Sequence, residues 1–395
     1  MASDIDPIAL TQALIRIPTL NPPGDEDECA RWLAGFLQDQ GFSVRLHAFG
    51  PQRFNLVAEW VGEGGGPWLG FSGHLDTVPL GGAPWTQDPF GGVIDRGVLY
   101  GRGSTDMKSG LAAFIAACAQ SRSVLRRCKG VRLLLTGGEE TGCDGARALR
   151  DSVGESLADL GALIVGEPTR NYPFIGHKGA IWIRGSSNGE TAHASMPEVG
   201  DNAIYKIADA VAKLRSFTPP HHHPLMGGCT ISVGTISGGI NVNSVPDRAS
   251  FEVDVRTVPG VCHSALRDDI AGHLGPEVHL ESFVDVPPLV PNETHPWVRR
   301  VLECCAPFHA EQIVPKVVPY FTDGSVLVPQ DGSLPAVILG PGEPQMMHKT
   351  DEYCCVERVH EAVRIYSAIL ADWAVWGARG GQASHSDKLS NIQAS

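Results

Sequence analysis

The sequence predicts an α/β protein, a sheet flanked by helices, with a second α+β domain inserted into it. Three observations carry that expectation. Several short apolar runs end in Gly and are followed at once by His or Glu, as strands of an open sheet do where they deliver a site. The chain has 395 residues, more than one ordinary core accommodates, so two domains are expected. Beyond Gly179 the pattern becomes strand, helix, strand, strand, helix, strand, the ferredoxin-like order.

Residues 7–17 carry apolar side chains at helical spacing and stop at the turn-rich Asn21-Pro22-Pro23-Gly24. A second helix is expected over 26–40, with Ala30, Leu33 and Leu37 on one face. Residues 41–46 and 55–60 read as strands. They lead to the buried run 68–71 and then Ser72-Gly73-His74-Leu75-Asp76-Thr77-Val78-Pro79. Side chains alternate along a strand, so His74 and Asp76 point the same way. That suits a metal-ligating imidazole whose other ring nitrogen is held by a carboxylate, though a chance pair in a turn reads the same.

Residues 84–97 form a Gly- and Pro-rich loop, followed by Tyr100-Gly101-Arg102-Gly103-Ser104-Thr105-Asp106-Met107-Lys108 and a helix through 111–117. Asp106 fits a helix N-cap, a ligand, or both. The strand 131–136 ends in Gly137-Gly138-Glu139-Glu140-Thr141-Gly142. Two adjacent carboxylates there are either a solvated loop or a pair awaiting a cation, because like charges repel and desolvation is costly. The strand 162–165 ends in Gly166-Glu167-Pro168-Thr169.

The inserted domain comprises strands 180–185, 229–234, 249–256 and 278–283 with helices 203–214 and 263–274. The first domain resumes with a helix around 297–302, the strand 336–339, His348 and a last helix over 356–376. The expected division is 1–176 with 288–378, then 177–287, with a flexible tail at 379–395.

A net charge of −13 argues against a nucleic-acid partner. No apolar stretch approaches the ~18 residues that span a bilayer, so no membrane partner is expected. Met1 is not followed by a basic region and an apolar run, so no signal peptide is expected. Ten Cys without a CxxC pair fit free thiols in a reducing cytoplasm. His221-His222-His223 looks like a metal cluster, but it stands in a Pro-flanked loop without a paired carboxylate signal. Neither a Ser-His-Asp signature nor a P-loop competes, since Gly101-Arg102-Gly103 lacks the spacing and trailing Lys.

His74, Asp106, Glu140, Glu167 and His348 together offer two imidazoles and three carboxylates. Such a set suits two divalent ions, Zn²⁺ first and Co²⁺ or Mn²⁺ as alternatives, with Asp106 able to bridge. Taken singly, each is equally a solvated loop residue. In combination these motifs, with His348-Lys349-Thr350-Asp351-Glu352, resemble the M20 family of metallopeptidases, especially its acetylornithine deacetylase/succinyl-diaminopimelate desuccinylase branch. The likeness runs from the first helix to the last. It implies a zinc-peptidase-like catalytic domain with a central mixed sheet and an inserted lid domain that makes a homodimer. It implies that His74 and Glu167 hold one ion, Glu140 and His348 the other, and that Asp106 bridges. It further implies that Asp76 orients His74 and that Glu139 is the general base.

Gly189-Glu190-Thr191-Ala192-His193-Ala194-Ser195 resembles the family's lid motif, whose His reaches the partner's site and stabilises the oxyanion. By itself His193 reads equally as a surface residue. Asn243 and Arg256, by the same resemblance, contact the substrate carboxylate, a group that an Arg fork fits bidentately. Unaided, Arg256 reads as a strand-end surface charge. The desuccinylase branch tends to carry paired Arg where this chain has His177-Lys178-Gly179, a run similar to that of the acetylornithine-type branch. Lys178 then supplies a point charge for an acidic end, not a fork. The implied function is removal of an acyl group from an N-acyl amino acid. The alternatives are an M20 dipeptidase or carboxypeptidase, a desuccinylase, or a non-catalytic metal-binding paralogue, against which the complete ligand set and Glu139-Glu140 argue.

Overall fold

The computed structural model describes residues 5–219 and 221–377; the tail expected at 379–395 lies outside the described residues. The chain divides into two compact units, one of Met1–Gly176, Val290–Lys316 and Thr322–Ser395, the other of His177–Leu289 and Val317–Phe321. The sequence reading keeps 317–321 with the larger domain. In the structure Val318 makes a parallel bridge to His177, which groups that segment with the second unit.

The first unit is built on β1 (Ser43–Gly50), β2 (Arg53–Val61), β3 (Trp68–His74), β4 (Gly130–Thr136), β5 (Leu160–Val165) and, late in the chain, β10 (Ala336–Ile338). Their order in the sheet is β1-β2-β4-β3-β5-β10. The β1–β2 and β2–β4 pairs are antiparallel, whereas β4, β3, β5 and β10 run parallel to one another. Every residue of β3 and β4 is buried, as expected of strands covered on both faces. Because these four strands share a direction, the chain leaves all of them on the same side of the sheet. The segments that follow carry His74 to Asp76, Glu139 and Glu140, Glu167, and His348.

Helices α1 (Pro7–Ile15), α2 (Asp27–Asp39), α3 (Ser109–Gln120), α4 (Asp144–Leu157), α7 (Pro296–Cys305) and α8 (Val356–Trp376) belong to this unit. Asp6 caps α1 by accepting from the Ile8 N–H, with Pro7 at the first helical position. α3 is buried from Ser109 to Cys118, and its Phe114 stacks on Phe71 of β3 at 4.0 Å between ring centroids. Tyr366 of α8 meets the same Phe114 edge-on at 5.2 Å. These rings seat the helical layer directly behind the strand that ends at His74.

The second unit runs β6 (Gly179–Asn188), α5 (Ala203–Leu214), β7 (Thr230–Gly238), β8 (Arg248–Thr257), α6 (His263–Leu274) and β9 (His279–Val286). Its four-stranded sheet is antiparallel throughout, in the order β7-β8-β6-β9, the ferredoxin-like arrangement. Burial alternates along β8, and its inward Phe251, Val253 and Val255 pack with Ile207 and Leu214 of α5 and Leu266 and Ile270 of α6. Among the described residues no helix is long and apolar enough to cross a membrane.

Candidate metal centre

Five side chains converge in the first unit, three from the ends of β3, β4 and β5, one from a kinked segment before α3 and one from the loop after β10. His74, Asp106 and Glu167 form one set whose ligand atoms all lie within 4.8 Å of one another; Asp106, Glu140 and His348 form a second. Asp106 belongs to both. His74 Nε2 stands 3.0 Å from Asp106 Oδ1 and 3.7 Å from Glu167 Oε1. His348 Nε2 stands 3.0 Å from Glu140 Oε2 and 3.6 Å from Asp106 Oδ2. Each oxygen of one carboxylate thus faces a different imidazole. His221 to His223 join no such group among the described residues.

The backbone explains how Asp106 reaches this place. Its φ of −120° and ψ of 92° are not helical, and α3 begins only at Ser109. Asp106 is therefore not the helix N-cap that the sequence allows, and its carboxylate is free to turn towards the two imidazoles. A residue with no role in the sequence reading holds the segment in place. Glu352 is fully buried; its Oε1 accepts from the N–H groups of Thr105 (2.8 Å) and Asp106 (3.0 Å). Its Oε2 accepts from the Gly103 N–H at 3.0 Å and from Arg102 Nη1 at 2.6 Å. Glu352→Ala is expected to destabilise the protein by about 3–5 kcal/mol, because it strands a buried guanidinium and three N–H groups. Urea denaturation checks this, and a wild-type midpoint would contradict it.

His74 departs from expectation in one respect. Its Nδ1 lies 2.8 Å from the backbone carbonyl oxygen of Asp76, whereas the nearer Asp76 carboxylate oxygen is 3.7 Å away. The carbonyl therefore accepts from Nδ1–H, which leaves Nε2 as the ring atom that faces Asp106 and Glu167. The Asp76 carboxylate is turned to the other side, where it accepts from the Glu139 and Glu140 N–H groups at 3.2 Å each. Glu139 itself is buried, in a turn entered through Gly138, whose φ of +72° favours glycine.

The electrostatics are those of a buried site crowded with carboxylates. Burial, and next the charge of Glu167, pushes the Glu139 carboxyl well above its ordinary range. Burial does the same to Glu167 and raises Glu140 as well. For Asp106 burial acts in that direction too, but His348 and His74 outweigh it and hold the carboxyl low. Hydrogen bonding to Asp106 and Glu140 draws the His348 imidazole up to about 10. The site thus demands positive charge.

A pair of divalent cations meets that demand, and the residues fit it. Donors that share a first-row ion at ~2.0–2.2 Å stand roughly 3–3.5 Å apart, close to the spacings found here. Glu140 Oε1 is also buried without a hydrogen-bond partner. The donor set of imidazoles and carboxylates matches first-row divalent ions, which would be held by His74 and Glu167 in one set and by Glu140 and His348 in the other, Asp106 being common to both sets.

A sequence model described as peptidase family M20/M25/M40 matches residues 70–372, more than half of the chain. The chain belongs to the M20 family of peptidases. It is a metal-dependent hydrolase that acts on amides. A protein named probable succinyl-diaminopimelate desuccinylase from Staphylococcus epidermidis is 30% identical, over 93% of this chain and 98% of its own. A succinyl-diaminopimelate desuccinylase from Wolbachia pipientis is 34% identical, over 67% of this chain and 71% of its own. Among solved structures, an M20 family metallo-carboxypeptidase from Sulfolobus solfataricus has a TM-score of 0.79 at 18% identity, covering 94% of this chain and 99% of that one. The M20 fold described above is shared with it.

The remaining residues singled out in the sequence lie in the second unit. His193 is exposed; its Nδ1 accepts from the Ser195 N–H at 3.2 Å. Its segment pairs with that of Asn243, through a bridge between His193 and Ser244 and a bond from the Ala194 N–H to the Asn243 carbonyl. Arg256 makes a two-pronged ion pair with Asp254, at 2.8 and 2.7 Å, and its Nη1 is buried without a partner. Lys178 Nζ donates to the Gly228 carbonyl at 2.6 Å.

Proposed function

We propose that this M20 hydrolase removes a short, uncharged acyl group from an N-acyl amino acid, by a reaction in which Glu139 is the general base. The observation that carries the reading is the placement of Glu139, buried beside the five-residue cluster with its backbone tied to Asp76. When bound, two divalent ions, Zn²⁺ in our reading, polarise the scissile carbonyl and acidify the attacking water. Glu139 takes the proton of that water as its oxygen attacks the carbonyl carbon. The same carboxyl then gives the proton to the departing amine, leaving a carboxylate and a free amino acid. A carboxyl whose affinity for protons is raised by burial suits both halves of that relay.

Arg256 and Asn243 take the substrate carboxylate. The buried, unpartnered Nη1 of Arg256 supports this, because such a donor calls for an acceptor. Lys178 adds a point charge, since the adjoining Gly179 and Ala180 pair with Thr257 and Arg256 across the sheet. We read the acyl group as uncharged because His177 and Lys178 stand where the desuccinylase branch tends to carry paired Arg. Burial pushes that imidazole down to about 4, so it is neutral at pH 7 and supplies no cation for a second acidic end. The names of the two relatives favour a second reading, in which the acyl group is succinyl. A hydrolysis screen over N-acetyl and N-succinyl amino acids and dipeptides, with Zn²⁺, Co²⁺ or Mn²⁺ re-supplied to stripped protein, decides between them. Highest kcat/KM on an N-acetyl amino acid is expected. Preference for the succinyl compounds or for dipeptides would overturn the acyl assignment.

The second unit is proposed as a lid and dimerisation domain. β7 lies at the edge of its sheet, and Ile236, Ile240, Val242 and Tyr205 are exposed, Val242 to 99%. An open strand edge and apolar side chains together favour a second copy. His193 of one copy then donates from Nε2 to the carbonyl oxygen in the other as negative charge develops. Mixing His193→Ala with Glu139→Gln protein should restore roughly a quarter of wild-type activity, since half the dimers are mixed and each holds one good site. No restoration would contradict catalysis across the dimer. The ten cysteines are all free thiols, which supports a reducing cytoplasm as its location.

A further inference from the structure

We propose that Asn21, in the turn after α1, is a positioning residue for the catalytic turn that carries Glu139. The proposal rests on the reading of Glu139 as the base. The sequence offers Asn21-Pro22-Pro23-Gly24 only as the stop of a helix. In the structure Asn21 is buried, at 2% exposure, and both protons of its amide are used. Nδ2 donates to Asp76 Oδ2 at 2.8 Å and to Thr141 Oγ1 at 3.1 Å. Those two acceptors flank the Glu139-Glu140 pair. Asp76 receives the N–H groups of Glu139 and Glu140 from one side, and Thr141 is the next residue along the turn. Asn21 therefore closes a clamp around the two glutamates, with one planar amide bridging a carboxylate and a hydroxyl.

The clamp is anchored independently of the turn it holds. The Asn21 N–H donates to the Thr77 carbonyl at 2.8 Å, and the Thr77 N–H returns to the Thr19 carbonyl at 2.8 Å. Thr19 Oγ1 donates to the Leu75 carbonyl at 2.7 Å. Residues 19–21 are thereby fastened alongside 75–77, the segment that leaves β3 at the metal centre. The side-chain chemistry is specific. Asp76 has turned its carboxylate from the His74 ring to the Glu139 and Glu140 amides, so Oδ2 serves both Glu140 and Asn21. An amide at position 21 supplies two donors there without adding a charge. An Asp would set a second carboxylate against the first.

A base displaced by about 1 Å loses on the order of 10² in rate, while substrate held elsewhere binds as before. Steady-state kinetics, bound-metal analysis and thermal melting of Asn21→Ala, Asn21→Asp and Glu139→Gln test the proposal on one N-acyl substrate. Asn21→Ala is expected to lower kcat by ~10- to 100-fold, with KM within about twofold and metal content unchanged. Asn21→Asp should be worse than Asn21→Ala. Wild-type kcat in Asn21→Ala, a loss that tracks bound metal or KM, or an Asn21→Asp no worse than Asn21→Ala would overturn it. Should Asn21→Ala fail to fold, Thr141→Val removes only the hydroxyl, and an unchanged kcat there overturns the clamp. Full turnover in Glu139→Gln would remove the base reading and this inference with it. An inactive Glu139→Gln beside an unimpaired Asn21→Ala would remove this inference alone.

Discussion

Glu139→Gln is expected to lower kcat by at least ~10²-fold while leaving the fold and the bound metal as they are. Gln has nearly the shape of Glu, and the bond that fixes this residue's place runs from its backbone N–H to Asp76, which the substitution does not touch. Neither metal set includes Glu139. What is lost is the capacity to accept a proton from water and return it to the amine. Steady-state kinetics with metal analysis of the same preparation measures this. Unchanged turnover would remove the base assignment, and a fall in bound metal would make Glu139 a support of the centre instead.

Asp106→Ala is expected to have the broadest effect of any single change, because Asp106 alone faces both imidazoles. Its removal takes a ligand from each ion at once. Loss of more than ~10²-fold in metal affinity is expected, with activity lost in step. Alteration of Glu140 or Glu167 touches one set only. Titration with Zn²⁺ after chelation, followed by activity and by melting temperature, reads the difference. In the wild type the ion should raise the melting temperature as binding to the folded state requires. A variant that still takes up two ions tightly would contradict the shared role of Asp106.

The parts of this protein that were legible in its sequence are those where backbone pattern and chemistry coincide. Apolar runs such as 131–136 and 162–165 are readable as buried strands because both faces are covered, and each announces its loop with Gly and then a carboxylate. Glu140 and Glu167 were found that way, and the mixed set of imidazoles and carboxylates suggested metal ligands, though only resemblance to a family divided the five between two ions. The supports of the centre were not legible. Glu352 stands 246 residues from the Asp106 N–H it receives, and Asn21 stands 55 from Asp76. Such pairings depend on strand order, which periodicity does not encode. His74 and Asp76 were expected to point the same way along one strand, but the strand ends at His74, and the Asp76 carboxylate is drawn to the Glu139 turn, 63 residues on, which leaves the carbonyl for Nδ1. The helix Asp144–Leu157 went unrecognised because Gly145 and Gly154 and its many charged residues break the apolar pattern.

The most direct measurement of the central claim is anomalous X-ray scattering at the zinc edge from crystals of the Zn²⁺-loaded protein. The result expected is two peaks, one between His74 and Glu167 and one between Glu140 and His348, with an Asp106 oxygen on each. A single peak, or peaks at His221 to His223 with none beside Asp106, would contradict the account.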